Sequence, residues 1–244
     1  MKKDKILIVC DRAALDNKVY MDEATFESVC RFVGASEVEL RDQYDAVFHL
    51  VTAAKGAEEF YTTANNAARI ETVEEAAAMD DKFIAAWTGH PHLRVIDNST
   101  DFTDKMRRLI AEISSFLGEP APFEIERKYL IEYPDLEWLQ SIPSCEKVDI
   151  IQIYLKVDEN EEIRVRQRGS DGHYIYYLTR KIRINEHKHL KTERRISENE
   201  YLNLIMNADA SLGRIRKERY CLAYKNQYFQ IDVYPFWKDK ALAE

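Results

Sequence analysis

Apolar and polar positions follow two different periods along this chain. Through residue 118, short apolar runs alternate with segments of helical spacing. Ile6–Cys10 and Ala46–Val51 predict buried strands, and Leu93–Asp97 predicts a third. Between them, Glu23–Phe32 places Phe26, Val29 and Cys30 on one helical face. Asn65–Trp87 carries a longer helical pattern through Val73, Ala76, Ala77, Phe83, Ile84 and Trp87. Asp101–Leu117 is amphipathic, and Gly118, Pro120 and Pro122 then form a helix stop and a short rigid linker. Strand and helix in alternation predict an α/β unit with a parallel sheet over residues 1–118.

After Pro122 the period becomes two. Strands are predicted at Phe123–Glu132, Val148–Val157, Glu162–Arg168, His173–Ile184, Leu190–Ile196, Gly213–Tyr224 and Tyr228–Tyr234. Polar turns such as Ser170-Asp171-Gly172 and Lys225-Asn226-Gln227 separate several of them. Short helices fit Asp135–Ser141 and Glu198–Asn207. Strands joined by hairpins predict an antiparallel sheet or β-barrel over residues 122–244. The expected fold class is α+β in two domains.

Composition narrows the options. A chain of 244 residues with 45% hydrophobic content can build two ordinary cores. No apolar run reaches the roughly 18–20 residues of a membrane helix. Ile6–Cys10 is too short for a signal peptide, so a cytoplasmic protein is expected. The four cysteines form no C-x-x-C pair and have no histidine at ligand spacing, which points to reduced thiols rather than a zinc site. The net charge of −8 sits entirely in residues 1–120, with 14 Lys+Arg against 22 Asp+Glu. The remainder balances 21 against 21. Net acidity argues against a nucleic-acid partner and leaves room for a local basic pocket with a small-molecule partner.

That pocket is suggested by the strand faces. Residues two apart on a strand share a face. Such faces carry Glu124, Glu126 and Lys128; Arg164, Arg166 and Arg168; Thr179, Lys181 and Arg183. Further along come Lys191, Glu193 and Arg195; Lys217 and Arg219; Gln230 and Asp232. Alternation alone leaves open whether these faces point into a barrel or out to water. The chemistry favours the inward reading. A triphosphate needs several converging cations, and a divalent metal needs carboxylate oxygens.

The string Glu124-Ile125-Glu126-Arg127-Lys128 has the form E-x-E-x-K. It is followed in order by Arg164-x-Arg166, Thr179-x-Lys181, Glu193-x-Arg195, Lys217-x-Arg219 and Asp232. This ordered set resembles the CYTH, or triphosphate-tunnel, family, which includes class IV adenylate cyclases, thiamine triphosphatases and inorganic triphosphatases. The resemblance implies an antiparallel barrel in which Mg²⁺ or Mn²⁺ bridges a triphosphate and carboxylates. By position, Glu124, Glu126 and Lys128 would form the catalytic strand. Glu124, Glu126, Glu193, Asp232 and Glu244 would serve the metal. Lys128, Arg164, Arg166, Lys181, Arg195, Lys217 and Arg219 would hold the phosphates. The implied activity is metal-assisted triphosphate hydrolysis. The family's closing E-x-E strand is not matched: the chain ends at Ala241-Leu242-Ala243-Glu244, where that motif would begin, so a barrel without its last strand is expected.

The first half resembles part of a P-loop kinase-like ATPase. Ile6–Cys10 followed by Asp11-Arg12 looks like a Walker B strand, Arg69 falls where such proteins have a lid, and Val95-Ile96-Asp97-Asn98 resembles the strand and loop near the base. The phosphate loop G-x-x-x-x-G-K-[ST] is absent, since none of the seven glycines precedes a lysine. Tight ATP binding by this half is therefore not expected. His90 and His92, flanking Pro91, read as surface loop residues. Two functions remain: a metal-dependent triphosphatase, or a nucleotide- or phosphoinositide-binding regulator without turnover.

Overall fold

A computed structural model describes residues 6–64, 70–118, 127–157, 161–185 and 188–244. The first unit is built by helices with well-defined ends. Helix α1 (Glu23–Val33) starts where the Asp22 carboxylate accepts from the Thr25 amide at 2.8 Å and ends on Gly34 with φ 69°. Helix α2 (Glu37–Asp42) has a Ser36–Glu39 capping box. Helix α3 (Val73–Trp87) has the same device in Thr72 and Glu75. Helix α4 (Phe102–Leu117) runs from an Asp101 cap to Gly118 at φ 77°. Between the helices, β1 (Val47–Leu50) and β2 (Leu93–Ile96) pair in parallel. Leu15, Phe26, Trp87 and Leu93 form the core of this unit.

The predicted strand Ile6–Cys10 is not one. The segment has no regular structure, and Ile6, Leu7, Ile8 and Val9 are exposed. Its β-branched residues favour an extended backbone, but a strand also needs a ladder partner, and β1 and β2 pair only with each other among the described residues. Conversely, α2 was not anticipated, because six residues are too few to display a helical period.

The second unit is an antiparallel sheet. Its strands are β3 (Tyr129–Glu132), β4 (Cys145–Tyr154), β5 (Glu161–Ser170), β6 (His173–Asn185), β7 (Lys188–Ile196), β8 (Ile215–Tyr224), β9 (Gln227–Val233) and β10 (Lys240–Ala243). Their order is β3-β10-β9-β8-β4-β5-β6-β7. Among the described residues β3 and β7 stand at the edges and do not pair, so the described ladder is open and the expected barrel closure is not seen in it. The chain's last residues form β10, a strand the sequence reading lacked. It lies between β3 and β9, and Glu244 exchanges two backbone hydrogen bonds of 2.8 Å with Gln230.

Two short helices cover one face of this sheet. Helix α5 (Leu136–Ser141) packs Leu139 against Tyr220, Leu222, Ile231, Val233 and Ala241. Helix α6 (Glu198–Ile205) packs Tyr201 against Ile153, Leu155, Val165 and Ile196. These are the apolar alternate positions of the strands. The charged positions therefore lie on the opposite face.

The first unit caps one end of that face. Val38 of α2 packs on Ile175 and Tyr177 of β6. Asp42 is fully buried and joins Arg41 Nε at 2.8 Å to Arg168 Nη1 of β5 at 2.7 Å. Arg168 also donates to the Gly89 carbonyl. Tyr228 of β9 accepts from the Gly89 amide and donates to the His90 carbonyl, both at 3.1 Å. Gly89 sits at φ 95°, and a Cβ there would lie 2.4 Å from Arg41 Nη1, so glycine fits for both backbone and space.

A cation-lined cavity as the candidate functional site

The charged strand faces enclose one cavity of about 1120 Å³, and all eight strands of the antiparallel sheet contribute to its wall. Register explains the convergence. Tyr154, Arg164, Thr179 and Glu193 stand side by side across β4 to β7, and Gln152, Arg166, Tyr177 and Arg195 form the next row. Arg219 pairs with Asp232 across β8 and β9. Twelve Lys and Arg residues line the cavity against six Asp and Glu, in a chain whose overall charge is −8.

The carboxylates on this wall are engaged by cations. Asp232 accepts from Lys217 Nζ at 2.6 Å and from Arg219 Nε and Nη2 at 2.6 and 2.8 Å. Burial pushes the Asp232 carboxyl up, but Arg219 and Lys217 hold it below its ordinary value. Arg219 also donates to Gln230 Oε1, and its Nη2 lies 3.8 Å from Glu244. Glu193 accepts from Thr179 Oγ1 at 2.7 Å and lies 3.6 Å from Arg166 Nη2. Burial opposes its charge, while Arg166 and the hydrogen bonds from His92 and Thr179 hold it well below the carboxylate range.

The cations are under strain from one another. Burial pushes Lys217 down to about 8, with Arg219 adding to the effect and Asp232 opposing it. Arg166 is also lowered, first by burial and then by Arg164, Arg219 and Arg168 against the pull of Glu193. The Nε groups of Arg164 and Arg166 are buried and have no hydrogen-bond acceptor among the described residues. Buried donors without acceptors cost about 1–3 kcal/mol each, more when charged. An anion in the cavity would relieve them.

The sequence-predicted residues divide as follows. Lys128, Arg164, Arg166, Lys181, Arg195, Lys217, Arg219, Glu193, Asp232 and Glu244 all line this cavity. Glu124, Glu126 and Arg69 lie outside the described residues. Asp11 is exposed on the irregular segment that replaces the expected strand. Asn98 ties loops together, donating to the Thr52 and Lys55 carbonyls at 2.7 and 2.8 Å and accepting from Lys105 at 2.6 Å. That network occupies its amide and lies apart from the cavity wall.

The histidines correct the sequence reading. His90 is fully buried, its Nε2 2.9 Å from the Tyr44 carbonyl, and burial pushes its pKa down to about 3. His92 lines the cavity and lies 3.5 Å from Glu193 Oε1. Nothing local marks these residues, because their surroundings come from distant positions: Tyr44 and Trp87 around His90, Phe116 and Glu193 around His92.

As a metal centre, the described residues alone do not fit. Among them, no three His, Cys, Asp or Glu side chains gather as a ligand cluster. Asp232 and Glu193 spend their oxygens on cations and hydroxyls.

Fold and site thus define a two-unit protein in which an α/β unit caps a cation-lined antiparallel sheet. Residues 1–105 match a family model described as an AAA domain, which supports the P-loop reading of the first half at that level. Among solved structures, the PH1012 and PH1819 proteins of Pyrococcus horikoshii OT3 are similar at 13% and 17% identity. Their matches cover 48% and 49% of this chain and 77% of each of theirs, with TM-scores of 0.34 and 0.36. A conserved hypothetical protein of Pyrococcus furiosus is similar at 15% identity over 48% of this chain and 77% of its own, with a TM-score of 0.33. Likenesses this weak assign no fold. No curated protein matches the chain.

Proposed function

We propose that the sheet cavity binds a triphosphate, as the resemblance to the triphosphate-tunnel family implies. The observation that carries this reading is the half-buried pair Arg164 and Arg166, whose buried Nε donors lack acceptors among the described residues in a cavity with a twofold excess of cations. Arginine forks match phosphate oxygens, and lysines supply point charges from other directions. Asp232 and Glu193 keep the array charged and oriented. A phosphoryl chain would exchange part of these internal pairs for its own oxygens.

Hydrolysis is the finer part of the proposal. In the family resemblance the metal falls to Glu124 and Glu126, and a bound Mg²⁺ or Mn²⁺ would neutralise phosphate charge there. The residues of the cavity wall position and shield the phosphates. Asp232 and Glu193 are held by cations and hydroxyls and are not assigned as general bases. If the metal-binding pair is ineffective, the chain is a binding protein that reads triphosphates without turnover.

Titration calorimetry with inorganic tripolyphosphate tests the binding. Arg164→Ala and Arg166→Ala should each weaken it by about 1.5–3 kcal/mol. Equal affinity in the wild type and both variants would sink the reading. Phosphate release with Mg²⁺, abolished in a Glu124→Gln/Glu126→Gln double variant that still binds tripolyphosphate, would establish the hydrolase. Binding without release would establish the sensor.

A further inference from the structure

His92 brings the α/β unit to the wall of the cavity, and the structure fixes it there. It immediately precedes β2. Its amide donates to His90 Nδ1 at 3.0 Å, and its carbonyl accepts from the Val47 amide at 3.1 Å, where the β1–β2 ladder begins. Between the two histidines, Pro91 restricts the backbone. The His92 ring packs against Phe116 of α4, with centroids 5.3 Å apart and planes at 64°. Its Nε2 then faces β7 of the other unit, 3.5 Å from Glu193 Oε1.

The Glu193 carboxylate is shared between the units. The Thr179 hydroxyl anchors Oε2 at 2.7 Å, and Arg166 Nη2 lies 3.6 Å from that same oxygen. His92 and Arg166 therefore flank one carboxylate at nearly equal distances. Neither is as close as the roughly 2.9 Å of a full hydrogen bond, so a small shift pivoting on Thr179 would bring Glu193 onto either. A buried carboxylate that loses its cation is strongly disfavoured. An anion that takes the Arg166 fork leaves Glu193 beside a second negative charge, and His92 is placed to receive it.

We infer that His92 is a positioning residue of the anion site: it holds the Glu193 carboxylate when an anion takes Arg166. The α/β unit thus acts on a site whose cations belong to the other unit. The inference deepens the triphosphate reading and rests on it.

The test uses the full chain, inorganic tripolyphosphate and no divalent metal. His92→Ala should weaken binding about tenfold, the size of one coupling within a polar network. His92→Gln, whose amide N–H can serve the same carboxylate, should restore most of the affinity. In a Glu193→Gln background, His92→Ala should have no further effect. A tenfold loss that persists there would mean that His92 touches the anion itself and would overturn the inference. So would wild-type affinity in His92→Ala. A second readout needs no ligand. Without His92 the carboxylate falls to Arg166, so the Glu193–Arg166 coupling from double-variant cycles in urea should be larger in the His92→Ala background than in the wild type. Equal coupling overturns the inference whatever the cavity binds. Larger coupling in a chain that binds no tripolyphosphate would sink the triphosphate reading and leave His92 positioning Glu193 for another anion.

Discussion

Lys217 gives the cavity a charge that depends on pH. Its pKa is pushed from the ordinary 10.5 down to about 8, so it is protonated below that value and neutral above it. Triphosphate affinity should therefore fall as pH rises through about 8, by roughly tenfold for one lost charged contact. Lys217→Arg should flatten the profile, because arginine stays protonated. Calorimetry across this range checks it, and a flat wild-type profile would mean Lys217 does not touch the anion. The neighbouring arginines were visible in the sequence as alternate positions on single strands. Which of them lacked an acceptor at Nε was not, because that depends on cross-strand neighbours: on β4, Arg164 faces Tyr154 and Arg166 faces Gln152.

At the scale of elements, strands with clear alternation were read nearly to their ends. Strand β6 was expected at His173–Ile184 and runs His173–Asn185. Helix α1 was expected at Glu23–Phe32 and runs Glu23–Val33, fixed by an aspartate cap and a glycine stop. What failed was the element whose existence needs a distant partner, Ile6–Cys10, and those too short to show a period, α2 and β10. Helix α2 matters most, since it delivers Arg41 and Asp42 to the seam between the units. Burial opposes the Asp42 charge, yet Arg168 and Arg41 hold its carboxyl below the usual value. Asp42→Ala would leave two arginines buried against each other. It should cost about 3–5 kcal/mol of stability by urea denaturation. A change below about 1 kcal/mol would show that the seam does not rely on this charge.

Over the whole molecule, charge is unevenly shared. The acidic excess belongs to the first 120 residues, and the cations are concentrated in one concave wall of the second unit. Such a cavity focuses field lines and draws anions in, an effect that weakens with added salt. Asp42, Gly89 and His90 cap one end of this wall through Arg168 and Tyr228. Among the described residues, no helix is long and apolar enough to cross a membrane.

The position of β10 bears on how the chain is made. Strand β3 has β10 as its neighbour in the ladder, with Tyr129 opposite Ala243 and Glu132 opposite Lys240. On a ribosome β3 emerges more than a hundred residues before its neighbour. Until residues 240–243 leave the exit tunnel, β3 lacks this ladder neighbour. Pairing of β3 with β10 is therefore a contact of high sequence separation, which forms slowly. A chain stopped at Asp239 should show lost hydrogen-exchange protection at Tyr129–Glu132 while β4 to β7 stay protected. Unchanged protection of β3 would mean that it docks without the last strand.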